Sequence, residues 1–363
     1  MYFYDSIAVI GPTASGKTKF AVNLALALPD LLEGLGKKIC GAEIISADSR
    51  QVYRGMDIGT GKDLSDYSVE RNGVSLSVPY HLMNIADAGS KYNIFQYQRD
   101  FSKAYSSILE RGAYPIICGG SGLYVQAVTC GYDLKDVSPD NELRAKLETK
   151  SMTELVEMLA ELKAGRGEKL HNSTDYDTKK RVIRAIEIER AYVSGSSETT
   201  SVLKTAAIKC EEQNISGRRD EREGKVSGYL LPKKVLYIGV EVDRDERNRR
   251  IDRRLSARLQ EGMIDEVQKL LDSGIKPEDL IYYGLEYKFV TLYLIGELSY
   301  DEMVEKLSIA IHQFAKRQMT WFRGMERKGI CIWWTSDGVT FFNNLDNKRC
   351  ALSELLNNYC YDY

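Results

Sequence analysis

The stretch IAVIGPTASGKTKFAVNLALAL, residues 7–28, constrains the fold more than any other part of the chain. A β-branched apolar run, Ile7 to Ile10, leads into Gly11-Pro12-Thr13-Ala14-Ser15-Gly16-Lys17-Thr18, after which the apolar spacing changes to the period of a helix. A glycine-bearing loop between strand and helix is the phosphate-cradling P-loop in its required setting. Backbone N–H groups turn onto a diphosphate at the helix N-terminus, Lys17 reaches the outer oxygens, and the Thr18 hydroxyl is suited to hold Mg²⁺. Hydrolysis, phosphoryl transfer and departure of the diphosphate as a leaving group all use this cradle, so the loop alone leaves the reaction open.

The rest of the chain supplies the sheet that a P-loop needs. AEIISAD, residues 42–48, reads as a buried strand, and VERNGVSLSV reads as a hairpin turning at Asn72-Gly73. A helix is expected from about Ile94 to Glu110, and YPIICGGSGLYVQAV reads as a strand that breaks at Gly119-Gly120 into another helix. Strands alternating with helices predict an α/β fold, a P-loop NTPase-like parallel sheet core flanked by helices, with a helical insertion domain. The expected boundaries are 1–135 for the first part of the core and 136–232 for the helical insertion. Residues 233–345 form the second part of the core, opening with the strand KVLYIGVEV and carrying basic helices, and 346–363 a tail. Within the insertion, 194–228 is rich in serine, glycine and charge and reads as a mobile loop.

A chain of 363 residues suits about two domains. No apolar run reaches the ~20 residues needed to cross a bilayer, and the N-terminus MYFYDS has no signal-peptide character, so a cytoplasmic protein without a membrane partner is expected. The seven cysteines, Cys40, Cys118, Cys130, Cys210, Cys331, Cys350 and Cys360, include no CxxC pair and read as reduced, buried thiols. A formal net charge of −2 decides nothing about nucleic acid, so the distribution of charge must.

Asp48 ends its strand on the edge of an open parallel sheet where ligands bind. It can hold Mg²⁺, act as a general base, or merely cap a turn. Two further glycine-bearing polar loops follow strands: Thr60-Gly61-Lys62, and Gly119-Gly120-Ser121-Gly122, whose N–H groups and Ser121 hydroxyl suit an oxyanion. The helix DRDERNRRIDRRLSARLQEGM puts Ile251, Leu255 and Leu259 on an apolar stripe, with Arg250, Arg254 and Arg258 expected beside it. Its seven arginines between Arg244 and Arg258 outnumber the four acids Asp243, Asp245, Glu246 and Asp252, and the surplus suits phosphate contacts. KKRVIRAIEIER repeats the theme with Lys180, Arg181 and Arg184, and HQFAKRQMTWFR mixes Lys316, Arg317 and Arg323 with Phe314, Trp321 and Phe322. Each basic segment reads equally as a solvated, salt-bridged face.

GPTASGKT, EIISADSRQVYRGMDIGTGK, GGSGLY, KRVIRAIEIER, EGMIDEVQKLL and AKRQMTWFR occur in that order. Over about Ile7 to Trp334 the chain resembles the tRNA dimethylallyltransferases, the IPP transferase family, which modify the adenosine next to the anticodon. The resemblance implies a P-loop α/β core whose helical insertion clasps the anticodon arm, acting as a monomer. It implies transfer of the dimethylallyl group from dimethylallyl diphosphate to the N6 amine of adenosine 37, with pyrophosphate expelled. On that pattern Asp48 takes a proton from, or hydrogen-bonds, the adenine amine, while Lys17, Ser121 and Thr18 with Mg²⁺ stabilise the leaving diphosphate. The adenine must be flipped out of the loop stack, with Ser49, Arg50 and Gln51 beside it. Arg184 would bind either diphosphate or tRNA phosphate, and Arg144, Lys180, Arg181, Arg250, Arg254, Tyr283, Lys288, Lys316 and Arg317 would contact tRNA.

The chain departs from that pattern in places. Ser121 stands where threonine is usual, VPYHLMNI keeps only His81 of a histidine pair and has Asn84 where an acid is common, and YYGLEYK varies a Gly-Tyr-Lys-Glu element. No paired Cys and His follow Trp334, so the zinc finger of eukaryotic relatives is not expected. Two rival readings use the same P-loop: an adenylate isopentenyltransferase acting on free nucleotides, and a P-loop small-molecule kinase. The first has less use for the arginine helix and AKRQMTWFR; for the second, no arginine-rich lid pattern follows the core and the basic patches need another purpose.

Overall fold

The computed structural model describes residues 4–71, 73–132, 134, 136–165, 167, 178–194, 225–226 and 229–336. Most of the 194–228 segment and all of the 346–363 tail lie outside these residues. The chain divides into two compact units, Met1–Tyr132 with Lys209–Tyr363, and Asp133–Ile208.

The larger unit is built on the parallel sheet that the sequence predicts. Its strands are β1 (Ser6–Ile10), β2 (Ala42–Ser46), β5 (Tyr80–His81), β6 (Tyr114–Gly119), β9 (Val235–Glu241) and β10 (Ile332–Ser336), in the order β10-β9-β1-β6-β2-β5. Every pairing is parallel, with Ile7 opposite Ile116 and Leu236, and Ile44 opposite Ile116 and Tyr80. Such strands are apolar along their whole length because both faces are covered. Ile44 and Ile116 enter the core under α1 (Lys17–Glu33), with Phe20, Leu24 and Leu28. Ile45 and Ile117 enter the opposite core with Tyr97 and Phe101 of α2 (Ile94–Glu110) and Val125 of α3 (Gly122–Thr129). α2 begins where Asn93 and Gln96 form a capping box, which satisfies two orphan N–H groups of its first turn.

The expected hairpin forms from β3 (Ser68–Arg71) and β4 (Val74–Ser77), with Gly73 at φ 75° and Asn72 outside the described residues. A second short pair, β7 (Lys225–Val226) and β8 (Tyr229–Leu230), precedes β9. A helical layer completes this unit: α7 (Arg244–Gln260), α8 (Met263–Asp272), α9 (Pro277–Tyr283), α10 (Leu285–Leu294) and the long α11 (Tyr300–Arg327). It buries a third core in which Val52, Tyr53 and Met56 meet Leu255, Val267 and Leu307.

The smaller unit packs α4 (Asn141–Glu148), α5 (Met152–Gly165) and α6 (Lys179–Ser194) through Leu143, Leu155, Leu159, Val182, Ile183 and Ile186.

The cysteines need a correction. Among the described residues Cys118 is buried and Cys130 half-buried, while Cys40 and Cys331 are exposed, since they lie in the connections just before β2 and β10 and not within the covered strands. Cys210, Cys350 and Cys360 lie outside the described residues.

The end of β6 is tight. A Cβ on Gly119 would lie 2.2 Å from the Ala47 carbonyl oxygen, which is backbone and cannot swing aside. Gly119→Ala should therefore destabilise by about 1–3 kcal/mol, read as a lowered urea midpoint. An unchanged midpoint would show that β2 and β6 can separate there at no cost.

Candidate active site

The carboxyl edge of the sheet gathers three loops. β1 runs into the P-loop, where Ala14 and Gly16 take φ of 61° and 85° and α1 starts at Lys17. Ser15 is fully buried, and its hydroxyl has no hydrogen-bond partner among the described residues. The Lys17 ammonium lies 3.3 Å from the Pro12 carbonyl oxygen. Burial lowers its pKa; Cys118 and Asp48 nearby act to raise it, and Arg254 to lower it. A cation so placed gains most from an anion that arrives in the cradle.

Asp48 follows β2 and folds into a turn in which its carboxylate accepts the Arg50 N–H at 2.9 Å. The turn sends Gln51 back under the strand: its carboxamide oxygen accepts from the Ser46 hydroxyl at 3.1 Å, and its nitrogen donates to the Gly61 carbonyl at 3.1 Å. Ser121 follows β6. Its N–H donates to the Ala47 carbonyl, and its hydroxyl accepts the Ser49 N–H at 3.1 Å and lies 3.3 Å from the Ser49 hydroxyl. Asp48, Ser49, Gln51 and Ser121 thus stand together as a polar rim after β2 and β6, beside Lys17.

Gln318 on α11 fastens the rim. Its side-chain oxygen accepts the Thr13 N–H at 2.8 Å and its nitrogen donates to the Gly120 carbonyl at 3.0 Å, joining the P-loop to the Gly119–Gly122 loop. Sequence reasoning missed it, although a signal was present. Gln318 sits on the stripe Ile311, Ala315, Phe322 and Met325, and a polar side chain on an apolar stripe needs a buried partner.

Behind Asp48 the core is aromatic. Tyr97 and Tyr124 stack with centroids 4.2 Å apart, and Tyr53 lies 4.6 Å from Tyr283, over which the Arg50 guanidinium sits at 5.7 Å. Burial raises the pKa values of Tyr97 and Tyr124, so both stay protonated and uncharged. On the other side Arg254 lines a pocket with Thr13, Ala14, Arg258 and Glu286.

The arginine helix is partly reassigned. Arg258 is not beside the apolar stripe but on it, three residues after Leu255, and is only 6% exposed. It lies 3.7 Å from Asp63 and 3.9 Å from Glu286, and burial with the like charge of Arg254 brings its pKa down to about 10. Burial also raises that of Glu286. Arg250 is half-buried and bonded to Glu246 at 2.9 Å. Tyr283, expected against tRNA, is 2% exposed and bonded to the Gly89 N–H and the Ser90 carbonyl, because α9 needs it as a core residue. Lys288 is half-buried with its ammonium over the Phe289 ring, whereas Lys316 and Arg317 are exposed on α11.

Within the smaller unit, Glu187 is 3% exposed and accepts Arg144 Nε at 2.7 Å and Nη2 at 2.8 Å, together with Arg184 and the Asp140 N–H. Arg184 also donates to the Val137 carbonyl. Lys180 and Arg181 are exposed on the same helix.

A P-loop with a carboxylate beside it, at the carboxyl edge of a parallel sheet flanked by helices, places the chain in the P-loop class of α/β proteins. The chain belongs to the IPP transferase family, whose sequence model matches residues 51–325, and it is an enzyme of the prenyltransferase class. It is 52% identical to tRNA dimethylallyltransferase 1 of Parabacteroides distasonis over 92% of this chain and 93% of that one. It is 51% identical to tRNA dimethylallyltransferase 2 of Bacteroides fragilis over 97% and 99%. Among solved structures, the tRNA isopentenylpyrophosphate transferase of Bacillus halodurans shares the fold with a TM-score of 0.55 at 29% identity, over 96% of this chain and 98% of that one.

Truncating Gln318 to Ala leaves the Thr13 N–H and Gly120 carbonyl without their partner, which should cost about 1–3 kcal/mol. The expected result is a lower melting temperature and weaker binding of a diphosphate. Diphosphate binding at full strength would show that the P-loop holds its shape without α11.

Proposed function

We propose that the enzyme transfers the dimethylallyl group of dimethylallyl diphosphate to the N6 amine of the adenosine next to the anticodon in tRNA, releasing pyrophosphate. The observation that carries this reading is the rim itself: a carboxylate, Asp48, held beside a phosphate cradle, with uncharged, buried tyrosines packed behind it.

The chemistry follows from that arrangement. The diphosphate lies over the P-loop N–H groups at the start of α1, where Lys17 neutralises charge as the C–O bond breaks. Arg254 faces Thr13 and Ala14 across the pocket, so its guanidinium serves the diphosphate better than a distant stem. Ser121 donates from the β6 turn. The described residues contain no group of three or more His, Cys, Asp or Glu able to hold a metal. A resident Mg²⁺ site made wholly of protein is therefore not part of this reading. Mg²⁺ fits as an ion carried by the diphosphate and its waters, with the Thr18 hydroxyl as the protein donor, and it would supply charge to the leaving group. The amine attacks the allylic carbon as a neutral nucleophile, and its excess proton passes to Asp48.

Recognition of tRNA falls to the exposed cations: Lys316 and Arg317 on α11, Lys180 and Arg181 on α6, and the exposed parts of Arg144 and Arg184 that Glu187 leaves available. Among the described residues no helix is long and apolar enough to cross a membrane.

Three measurements test this. Offering dimethylallyl diphosphate with unmodified tRNA or with AMP should prenylate the tRNA alone; prenylated AMP would favour the free-nucleotide reading. Asp48→Ala should lower turnover by about 10²–10⁴-fold while dimethylallyl diphosphate still binds, and near-normal turnover would remove Asp48 from the chemistry. Replacing Lys316 and Arg317 with Ala should flatten the dependence of log tRNA affinity on log salt by about one unit for every phosphate no longer neutralised. An unchanged slope would remove α11 from the tRNA surface.

A further inference from the structure

The loop Asp57-Ile58-Gly59-Thr60-Gly61-Lys62 has the composition of a phosphate loop, but another group already fills it. The N–H groups of Asp57 and Ile58 donate to one oxygen of the Glu266 carboxylate at 2.8 and 2.7 Å, and the Gly59 N–H donates to the other at 3.0 Å. Three successive N–H groups converging on one anion make a nest, and Glu266, in the first turn of α8, is its occupant. The Tyr287 hydroxyl adds a fourth donor at 2.7 Å. Lys62 is 1% exposed and donates at 2.5 Å to each of the Tyr53 carbonyl, the Asp57 carboxylate and the Asn84 side chain. The loop is pinned at both ends by groups from outside it.

What the pinned loop presents is the Gly61 carbonyl, which accepts the Gln51 nitrogen. Gly61 has φ of 60°, and a Cβ there would fall 1.6 Å from the Arg258 guanidinium and 2.2 Å from that of Arg254, so the loop is wedged between Gln51 and the two arginines. Because the Gly61 carbonyl can only accept, the Gln51 carboxamide cannot turn over: with Ser46 on its oxygen, one N–H and one lone pair remain, in a fixed order. Adenine presents a donor at N6 beside an acceptor ring nitrogen, whereas guanine presents an acceptor at O6 beside its donor N1–H. A carboxamide of fixed orientation tells them apart; one that flips does not.

We infer that Glu266 is a positioning residue for base selection, clamping residues 57–61 so that Gly61 locks the Gln51 carboxamide in the order that accepts adenine. This rests on the proposed reading that Gln51 lies beside the flipped adenine. Glu266 touches no substrate and acts through the loop.

The test uses the full-length enzyme with an anticodon stem-loop RNA bearing the target adenosine, and the same RNA with guanosine there as a competitive inhibitor. Glu266→Gln keeps the size but turns an NH₂ group toward at least one nest donor. It should lower kcat on the adenosine RNA by about 10- to 100-fold and narrow the preference for adenosine over guanosine RNA by about tenfold or more. The dissociation constant for dimethylallyl diphosphate should stay within about twofold. Gln51→Ala should narrow the preference equally, and Glu266→Asp, which keeps the carboxylate, should recover part of it. If Glu266→Gln does not fold, Tyr287→Phe decides in the same direction with a smaller effect, since it removes a single donor. A folded Glu266→Gln enzyme with wild-type preference overturns the inference, as does a loss of diphosphate binding as large as the loss of rate. Wild-type enzyme that prenylates no RNA overturns instead the function proposed above.

Discussion

The parallel pairing of β1 with β6, which sets Ile10 opposite Gly119, is the constraint on which the site depends. Because β9 pairs with the other edge of β1 and β2 with the other edge of β6, the loops that leave all four strands emerge on one side. The P-loop, the Asp48 turn and the Gly119–Gly122 turn become neighbours without any of them having affinity for the others. Short polar bonds then fix their spacing: Ser121 to Ser49, Gln318 to both Thr13 and Gly120, and Gln51 to Gly61. Each is worth about 1 kcal/mol net, and each leaves a costly buried orphan if its partner is removed. Such bonds add little to the total stability and much to the definition of the site.

Charge is handled in two ways in the larger unit. Around the P-loop, cations are buried with few acids to match them. Lys17 and Arg258 both have lowered pKa values, chiefly from burial, and Glu286 near Arg258 has a raised one. Such a cluster is electrostatically incomplete and suits an arriving anion. Where the fold needs rigidity, ions are fully matched, as Glu266 is by three N–H groups and a hydroxyl, and Lys62 by three oxygens. The smaller unit uses the second mode at Glu187, where part of each paired arginine still reaches solvent.

Much is legible in the residues alone. The P-loop, the strands before Asp48 and Ser121, the helix from Ile94 to Glu110 and the hairpin at Gly73 follow from local signals: β-branched runs, glycines and helical spacing. The ordered motifs named the family. What did not follow was which polar residues face inward. Arg258, Gln318 and Tyr283 sit in segments that read as tRNA-facing, and the structure turns all three into the protein. For Arg258 and Gln318 the register of the helix held the clue, since each falls on an apolar stripe; Tyr283 is buried by its packing against Tyr53 and Tyr287.

By itself the sequence determined the P-loop, the parallel α/β class and the placement of Asp48 and Ser121 at strand ends, because these depend on neighbours within a few residues. Only the tertiary structure decided what fills the second glycine loop. Glu266 lies more than two hundred residues beyond Asp57, and nothing local distinguishes a nest awaiting phosphate from one already holding a carboxylate. That distinction is made when α8 packs against Val52 and Met56, since the burial that forms the third core also drives the carboxylate onto the loop.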